Sequence, residues 1–248
     1  MPKNPTVTVI TATIGHPQLK RCIESVRDQR YARIEHLVVV DGPEWYDRAD
    51  EVLAQADHDR LQVLRLPHAT GKNTWNGHRI YGSMPFLVLS DYVCWLDDDN
   101  WFDEDHVESL IRTIMSGDAA WSFSLRKIVD EAGQLLMLDQ CESLGNLHPT
   151  FIMPTDFLVD ANCYMVRRDV AIAASWAWNR VMRPADGPGP DRLLCHVLMQ
   201  RFPNAPATKR YTLNYTVANT PTSVGPSFFA AGNAAMKQRY PAGLPWET

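Results

Sequence analysis

The sequence predicts a single α/β domain built on a Rossmann-like, mostly parallel central sheet flanked by helices, and three observations predict it. Short β-branched runs alternate with segments of helical periodicity through the first half of the chain. The strand runs end in Thr or Asp, the places where sheets of this kind hold ligands. No internal repeat or low-complexity linker interrupts residues 1–248, so one continuous domain is expected, with a regular part (1–117), a less regular part (118–218) and a tail (219–248).

The elements follow in order. "TVTVITA" (Thr6 to Ala12) is short and β-branched, a buried strand. After Gly15 and Pro17, "QLKRCIESVRDQ" sets Leu19, Cys22, Ile23 and Val26 on one helical stripe. "IEHLVVVDG" is a second strand stopped by a turn, "DRADEVLAQA" a helix, "LQVLRL" a third strand and "YVCWL" a fourth. "DEDHVESLIRTIMSG" aligns Val107, Leu110, Ile111 and Ile114, with acidic residues expected in its first turn and Gly117 as its stop. Beyond it, "WSFSLRKIVDEAGQLLML" reads as a hairpin around "DEAG", "ANCYMVRRDVAIAASWAW" as a strand entering a helix, and "GPGPDRLLCHVLMQRF" as a loop followed by a helix. The tail from Asn219, rich in Pro, Gly, Ala and Ser, either wraps the domain or forms a flap.

Strands alternating with helices imply parallel crossovers, which carry Thr11 and Thr13, Asp41, and Asp97 to Asp99 to the same rim of the sheet. The net charge of -5 and the lack of a basic face exclude a general nucleic-acid footprint. The five cysteines are widely spaced and form no CxxC, which points to buried thiols in a reducing compartment. No run approaches the roughly 20 apolar residues of a membrane span, and the N-terminus has no signal-peptide pattern. The expectation is a soluble, cytoplasmic protein.

"DYVCWLDDDNWFDED" poses the functional question: an apolar strand ends in three consecutive aspartates, Asp97, Asp98 and Asp99, whose charges repel. Either the triplet is a solvated loop leading into the next helix, or it holds a cation. In an extended segment Asp97 and Asp99 share a face, and two carboxylates with substrate phosphates suit Mg or Mn.

"TVTVITATIGHPQLKRCIESVRDQ", "HLVVVDG" and "DYVCWLDDDNWFDEDHVESLI", in that order, resemble family 2 glycosyltransferases of the A-type fold, inverting enzymes with a DxD segment. "GKNTWNGHRI" resembles the segment before the family's DxD strand, "VDANCYMVRRDV" its acceptor-side strand, and "GPDRLLCHVL" its catalytic region, with Pro-Asp in place of the usual acidic pair. The resemblance implies transfer of a sugar from a nucleotide-diphosphate donor, first of all a UDP-sugar, to an acceptor hydroxyl. The 1–117 part would bind the nucleotide-sugar and the 118–218 part would carry the acceptor and the catalytic base.

Residue by residue, it implies that Thr11, Ala12 and Thr13 contact the nucleotide and that Asp41 accepts a hydrogen bond from the base. Asp97 lies near the ribose and shares the metal, Asp98 adds to the donor site, and Asp99 binds the Mn or Mg ion that bridges the diphosphate. Lys72 and Arg79 flank the phosphates as cations. Asp191 is the expected general base, with Asp186 in reserve. His148 and His196 are weaker candidates as metal ligands, and Trp101 is the best aromatic platform on the acceptor side. Two other readings remain at this level: nucleotidyl transfer to a sugar phosphate, which the single Gly and absent cation of "TATIGHPQ" disfavour, and an inactive nucleotide-sugar-binding module. The lack of GxGxxG after the first strand disfavours a dehydrogenase. Glycan, protein, small molecule and modified nucleic acid stand equal as acceptors, and oligomeric state is not legible.

Overall fold

The computed structural model describes residues 4–56, 58–72, 75–180, 189–217 and 224–247. Its strands are β1 (Val7–Thr13), β2 (Ile34–Val40), β3 (Leu61–Arg65), β4 (Tyr92–Trp95), β5 (Trp101–Phe102), β6 (Trp121–Val129), β7 (Leu135–Leu138), β8 (Tyr164–Arg167) and β9 (Ala207–Thr216). Its α-helices are α1 (Leu19–Arg27), α2 (Tyr46–Leu53), α3 (His78–Ser83), α4 (His106–Gly117), α5 (Arg168–Ala174), α6 (Pro190–Arg201) and α7 (Pro226–Arg239). All strands join one sheet in the order β3-β2-β1-β4-β8-β6-β9-β5, with β7 paired to β6.

The first four strands in that order are mutually parallel. β1, β2 and β4 are near-continuous apolar runs because both faces are covered, with Val7, Val9, Ile10, Val38, Val39 and Val40 fully buried, whereas the edge strand β3 leaves Gln62 and Arg65 exposed. On one face α1 sets Leu19, Cys22, Ile23 and Val26 inward, the stripe that its periodicity predicts. Leu19 and Ile23 meet Val38, with Val52, Leu53 and Leu61 packed around them. On the other face lie α3 and α5.

The rest of the sheet is mixed: β8 runs antiparallel to β4 and β6, while β9 runs parallel to β6. β6 and β7 form the predicted hairpin, with Asp130 and Gly133 closing its turn. β6 is buried on both faces, yet one face carries Ser122, Ser124 and Arg126. A buried strand face of that composition must satisfy its polar groups internally. β9, to which the sequence pattern assigned nothing, has no alternation of burial: Thr212, Leu213 and Asn214 are buried in succession, between the half-covered Tyr211 and Tyr215.

Two expectations are corrected and one left open is resolved. Gly117 does not stop α4 by its backbone freedom; Asp118 takes the left-handed turn at φ 46°. Asp103 and Asp105 do not cap α4 with their side chains but reach across the sheet, Asp103 to Lys127 (2.6 Å) and Asn214 (2.9 Å), Asp105 to Arg210. The tail, over its described residues, wraps the domain. α7 inserts Phe229 and Met236 into a second core with Cys141, Leu144, Val217, Leu244 and Trp246. All five cysteines are buried and unpaired. Among the described residues no helix is long and apolar enough to cross a membrane.

Candidate active site

The carboxyl ends of β2, β1 and β4 lie side by side, and each delivers a carboxylate or a loop to the same rim. At the end of β2, the Asp41 amide donates to the Thr13 carbonyl (3.0 Å), tying two strand ends together. The Asp41 side chain is buried and organises the loop after β3. Oδ1 accepts from the Thr70 amide (2.7 Å) and hydroxyl (2.8 Å), and Oδ2 from the Gly71 amide (2.7 Å). Gly71 is required for that approach, since a Cβ there would sit 2.8 Å from Asp41 Oδ2. The same loop carries Lys72, and α3, which follows it, carries Arg79. Lys72 pairs with Glu44 at 3.2 Å, and the exposed Arg79 lies 4.1 Å over the Trp75 ring and donates to the Thr70 carbonyl (3.3 Å).

The aspartate triplet is not extended as its sequence suggested: β4 ends at Trp95, and Asp97 to Asn100 form a tight turn closed by the Asn100 amide on the Asp97 carbonyl (3.1 Å), which sends the side chains apart. Asp98 turns toward the loop after β1, where it accepts from the Thr13 hydroxyl (2.5 Å) and from the backbone of Ile14 and His16. Burial outweighs these bonds and lifts its carboxyl to about 6. Asp97 turns the other way. Its Oδ1 accepts from the Tyr81 hydroxyl, its Oδ2 from Asn162 Nδ2 (2.8 Å), and its amide donates to Asn162 Oδ1. Burial, and next the charge of Asp99, push Asp97 up to about 7. The Asp99 carbonyl accepts from the Thr216 hydroxyl (2.6 Å), which ties the triplet to the end of β9. Neither a capping bond nor an ion pair to an Arg or Lys explains Asp97 here. Asp97 and Asp99 are half-buried carboxylates of like charge, the charge of Asp99 raising the cost of ionising Asp97, and such a pair suits a divalent cation. Among the described residues no group of three or more His, Cys, Asp or Glu side chains is clustered as a complete metal cage, so these two carboxylates need outside oxygens.

Asp191 stands in the first turn of α6, where the helix dipole favours a carboxylate. Its Oδ1 accepts from the Arg192 amide (2.8 Å), while burial raises its carboxyl above the ordinary aspartate range. Asp160 acts electrostatically on both Asp97 and Asp191, so the two candidate sites lie around one shared acid. Asp186, the reserve base, falls outside the described residues.

Not every expected contact points at the rim. The Thr11 hydroxyl is wholly buried and bonds His36 Nε2 (2.9 Å), so this side chain serves the packing of β1 against β2; Thr13 and the backbone at Ala12 are what reach the rim. Asp98 holds the loop rather than facing Asp99. His148 bonds the Pro149 carbonyl and the Tyr240 hydroxyl (both 2.6 Å), and His196 lies on the exposed side of α6. Trp101 is half-covered by the Arg21 guanidinium at 4.4 Å. Conversely, Tyr81, Asn162 and Asp160 were not singled out. The signals for them were present: "VDANC" is an Asx-turn pattern in which Asp160 caps the amide of Asn162 (2.9 Å), and Tyr81 falls on the short helix after the Asp41-bound loop.

The profile of "Glycosyl transferase family 2" matches residues 8–173. "Glycosyltransferase GlyA" of Streptococcus pneumoniae serotype 4 is 29% identical over 110 residues, which is 41% of this chain and 14% of that protein. The fold resembles that of S. aureus TarS 1-349 in complex with UDP-GlcNAc, with a TM-score of 0.57, 14% identity and coverage of 94% of this chain and 65% of that one. It also resembles the mannosyltransferase PcManGT from Pyrobaculum calidifontis in complex with GDP-Man and Mn2+, with a TM-score of 0.59, 12% identity and coverage of 88% and 59%. The chain thus spans less than two thirds of the length of the relatives it matches, and at these identities the structural likeness establishes the fold.

Proposed function

Since the chain belongs to glycosyl transferase family 2, we propose that it is a glycosyltransferase moving a sugar, with inversion, from a UDP-sugar to an acceptor hydroxyl, assisted by a divalent cation. The observation that carries this reading is the pairing of Asp97 and Asp99 at the end of β4, beside the strand ends that carry Asp41 and the Thr13 loop.

Each residue then has a task. Asp41 meets the base edge. Oδ1 already accepts two bonds and Oδ2 only one, which leaves a single acceptor position on Oδ2. One imide N–H of uracil fills it, whereas guanine offers two donors on one edge; this supports UDP over GDP. Lys72, on the loop that Asp41 holds, and Arg79, which reaches back to that loop from α3, flank the phosphates. Asp97 and Asp99 would hold Mn or Mg, which when bound supplies Lewis-acid neutralisation of the departing diphosphate. Asp191 takes the proton of the acceptor hydroxyl as its oxygen attacks the anomeric carbon and the bond to the diphosphate breaks on the opposite face. Burial, by raising the carboxyl of Asp191, makes it a stronger base than an exposed aspartate.

The test is calorimetric titration of UDP, GDP and dTDP, with and without Mn, into the wild-type protein and Asp99→Ala. The expected result is UDP binding that requires Mn and is lost in the variant. Folded protein that binds none of the nucleotides overturns the reading. Binding without turnover of any UDP-sugar, hydrolysis included, replaces it with a nucleotide-sugar-binding module.

A further inference from the structure

Behind the rim, the mixed half of the sheet buries an ion-pair network that the proposed reaction does not use. Arg126, in the middle of β6 and 3% exposed, directs its guanidinium at three carboxylates. Nε bonds Asp139 Oδ2 (2.8 Å), one terminal nitrogen bonds Glu142 Oε2 (2.7 Å), and the other bonds Asp160 Oδ2. Asp139 is fixed further by the amides of Cys141 (3.0 Å), Glu142 (2.9 Å) and Ser143 (3.0 Å). The hub therefore does not swing: its anchors are backbone.

Two arms leave this hub. On one, Asp160 Oδ1 accepts from the amide (2.9 Å) and side chain (2.7 Å) of Asn162, whose side chain grips Asp97. On the other, the second oxygen of Glu142 accepts from Arg192 (2.9 Å), which also pairs with Asp156. Arg192 is the residue after Asp191 in the first turn of α6. Charge-assisted bonds between buried, planar groups are short and directional, and Arg in particular fixes angle as well as distance. Buried ion pairs contribute little net stability compared with apolar packing of the same volume, so their physical effect here is orientation.

We propose that Arg192 is a positioning residue for Asp191, and that Arg126 and Glu142 set the placement of this base relative to Asp97 through one continuous chain of side chains. The chain runs Asp97, Asn162, Asp160, Arg126, Glu142, Arg192 and, through one peptide unit, Asp191. It links a donor-side carboxylate to the acceptor-side base without touching either substrate. The proposal rests on the reading of Asp191 as the base and extends it to residues that do no chemistry.

The test compares full-length wild type with Arg192→Met, Arg192→Lys and Glu142→Gln. Three readouts are taken: UDP affinity with Mn, steady-state kcat and KM for UDP-sugar turnover, and hydrogen–deuterium exchange of the peptide covering the first turn of α6. In that turn the Leu193 amide donates to Gly189 (2.9 Å). Arg192→Met is expected to exchange faster there and to lose about 10- to 100-fold in kcat with donor affinity within about twofold of wild type, the size expected for a misplacement on the order of 1 Å. Arg192→Lys, which keeps the charge without the fork, is expected to recover part of the rate. Unchanged exchange in Arg192→Met overturns the proposal, as does faster exchange with unchanged kcat. Loss of nucleotide affinity in step with kcat in both Arg192→Met and Glu142→Gln assigns the network to general folding and also overturns it. Wild-type protein that neither binds nor turns over a nucleotide-sugar overturns the functional reading instead, and the exchange data then still decide whether Arg192 holds the turn.

Discussion

The two halves of the sheet are held together by opposite means. β2, β1 and β4 are largely apolar ribbons whose side chains pack on helices, and the carboxylates of this half stand at the strand ends. β8, β6 and β9 bury serines, Arg126, Thr212 and Asn214, and the adjoining loops bury Asp139, Asp160 and Asn162. In the first half, shape tolerates small errors because dispersion contacts are many and weak. In the second, geometry is specified by a few directional bonds, each costly to leave unmade. The first half can therefore present a site at its rim, while the second can hold a base at a set distance from it.

The largest expected effect tests the second half. Removing only the cation, Arg126→Met, takes the arginine from buried Asp139 and Asp160 and one of its two arginines from Glu142, and is expected to cost about 3–5 kcal/mol in urea unfolding. Ile10→Val in the aliphatic half is expected to cost about 1 kcal/mol by the same measurement. Equal costs would erase the contrast. Asp191→Asn comes next: kcat for UDP-sugar turnover is expected to fall about 100- to 10,000-fold with UDP affinity unchanged, the range for a lost general base.

A pH series sharpens the comparison at the rim. The carboxyl of Asp97 rises from 3.8 to about 7 on folding and that of Asp98 from 3.8 to about 6. The folded protein then binds more protons than the unfolded chain across that window, so stability falls as pH rises from about 4 to about 7. His36, buried in the aliphatic half, falls from 6.5 to about 3 and acts in the opposite sense: its contribution is lost as pH drops below about 6.5. Relative to Asp97→Asn, the unfolding midpoint of wild type without divalent cation is expected to fall as pH rises from about 4 to about 7, the variant sharing the opposing contribution of the buried histidines His36, His78 and His106. An identical pH profile in the variant would remove Asp97 as the cause. The smallest effect is expected at Lys72, exposed and, among the described residues, paired with the exposed Glu44. Lys72→Ala should leave the unfolding midpoint unchanged and raise the donor KM by less than about tenfold.

How much of this was readable beforehand follows the same division. Periodicity located β1 through β4, α1, α2 and α4 because a strand buried on both faces and an amphipathic helix each write their burial directly into residue order. It located the β6–β7 hairpin for the same reason. It missed β9, whose burial does not alternate, and it left the tail open because the apolar residues of α7 do not keep to one stripe. At the rim, Asp41, Asp97, Asp99 and Asp191 stood out from their position after strands and at a helix start. Thr11 was misjudged because its strand position does not tell that His36 waits opposite its hydroxyl. Arg126 passed unremarked in "WSFSLRKIV", although an arginine alternating with serines inside a hydrophobic strand is itself a signal that acids lie across from it.

The residue order by itself determined which segments enter the core and which strand ends carry acids, since both depend on local pattern and on the parallel crossover rule. Tertiary structure alone decided which way each acid turns and what it meets. Asp98 binds the Thr13 loop and Asp97 binds Asn162, while Glu142 joins Arg126 to Arg192 from positions 16 and 50 residues away. Such pairings depend on where separate strands and loops are brought together in space, and an ion pair between distant residues has no period to leave in a sequence.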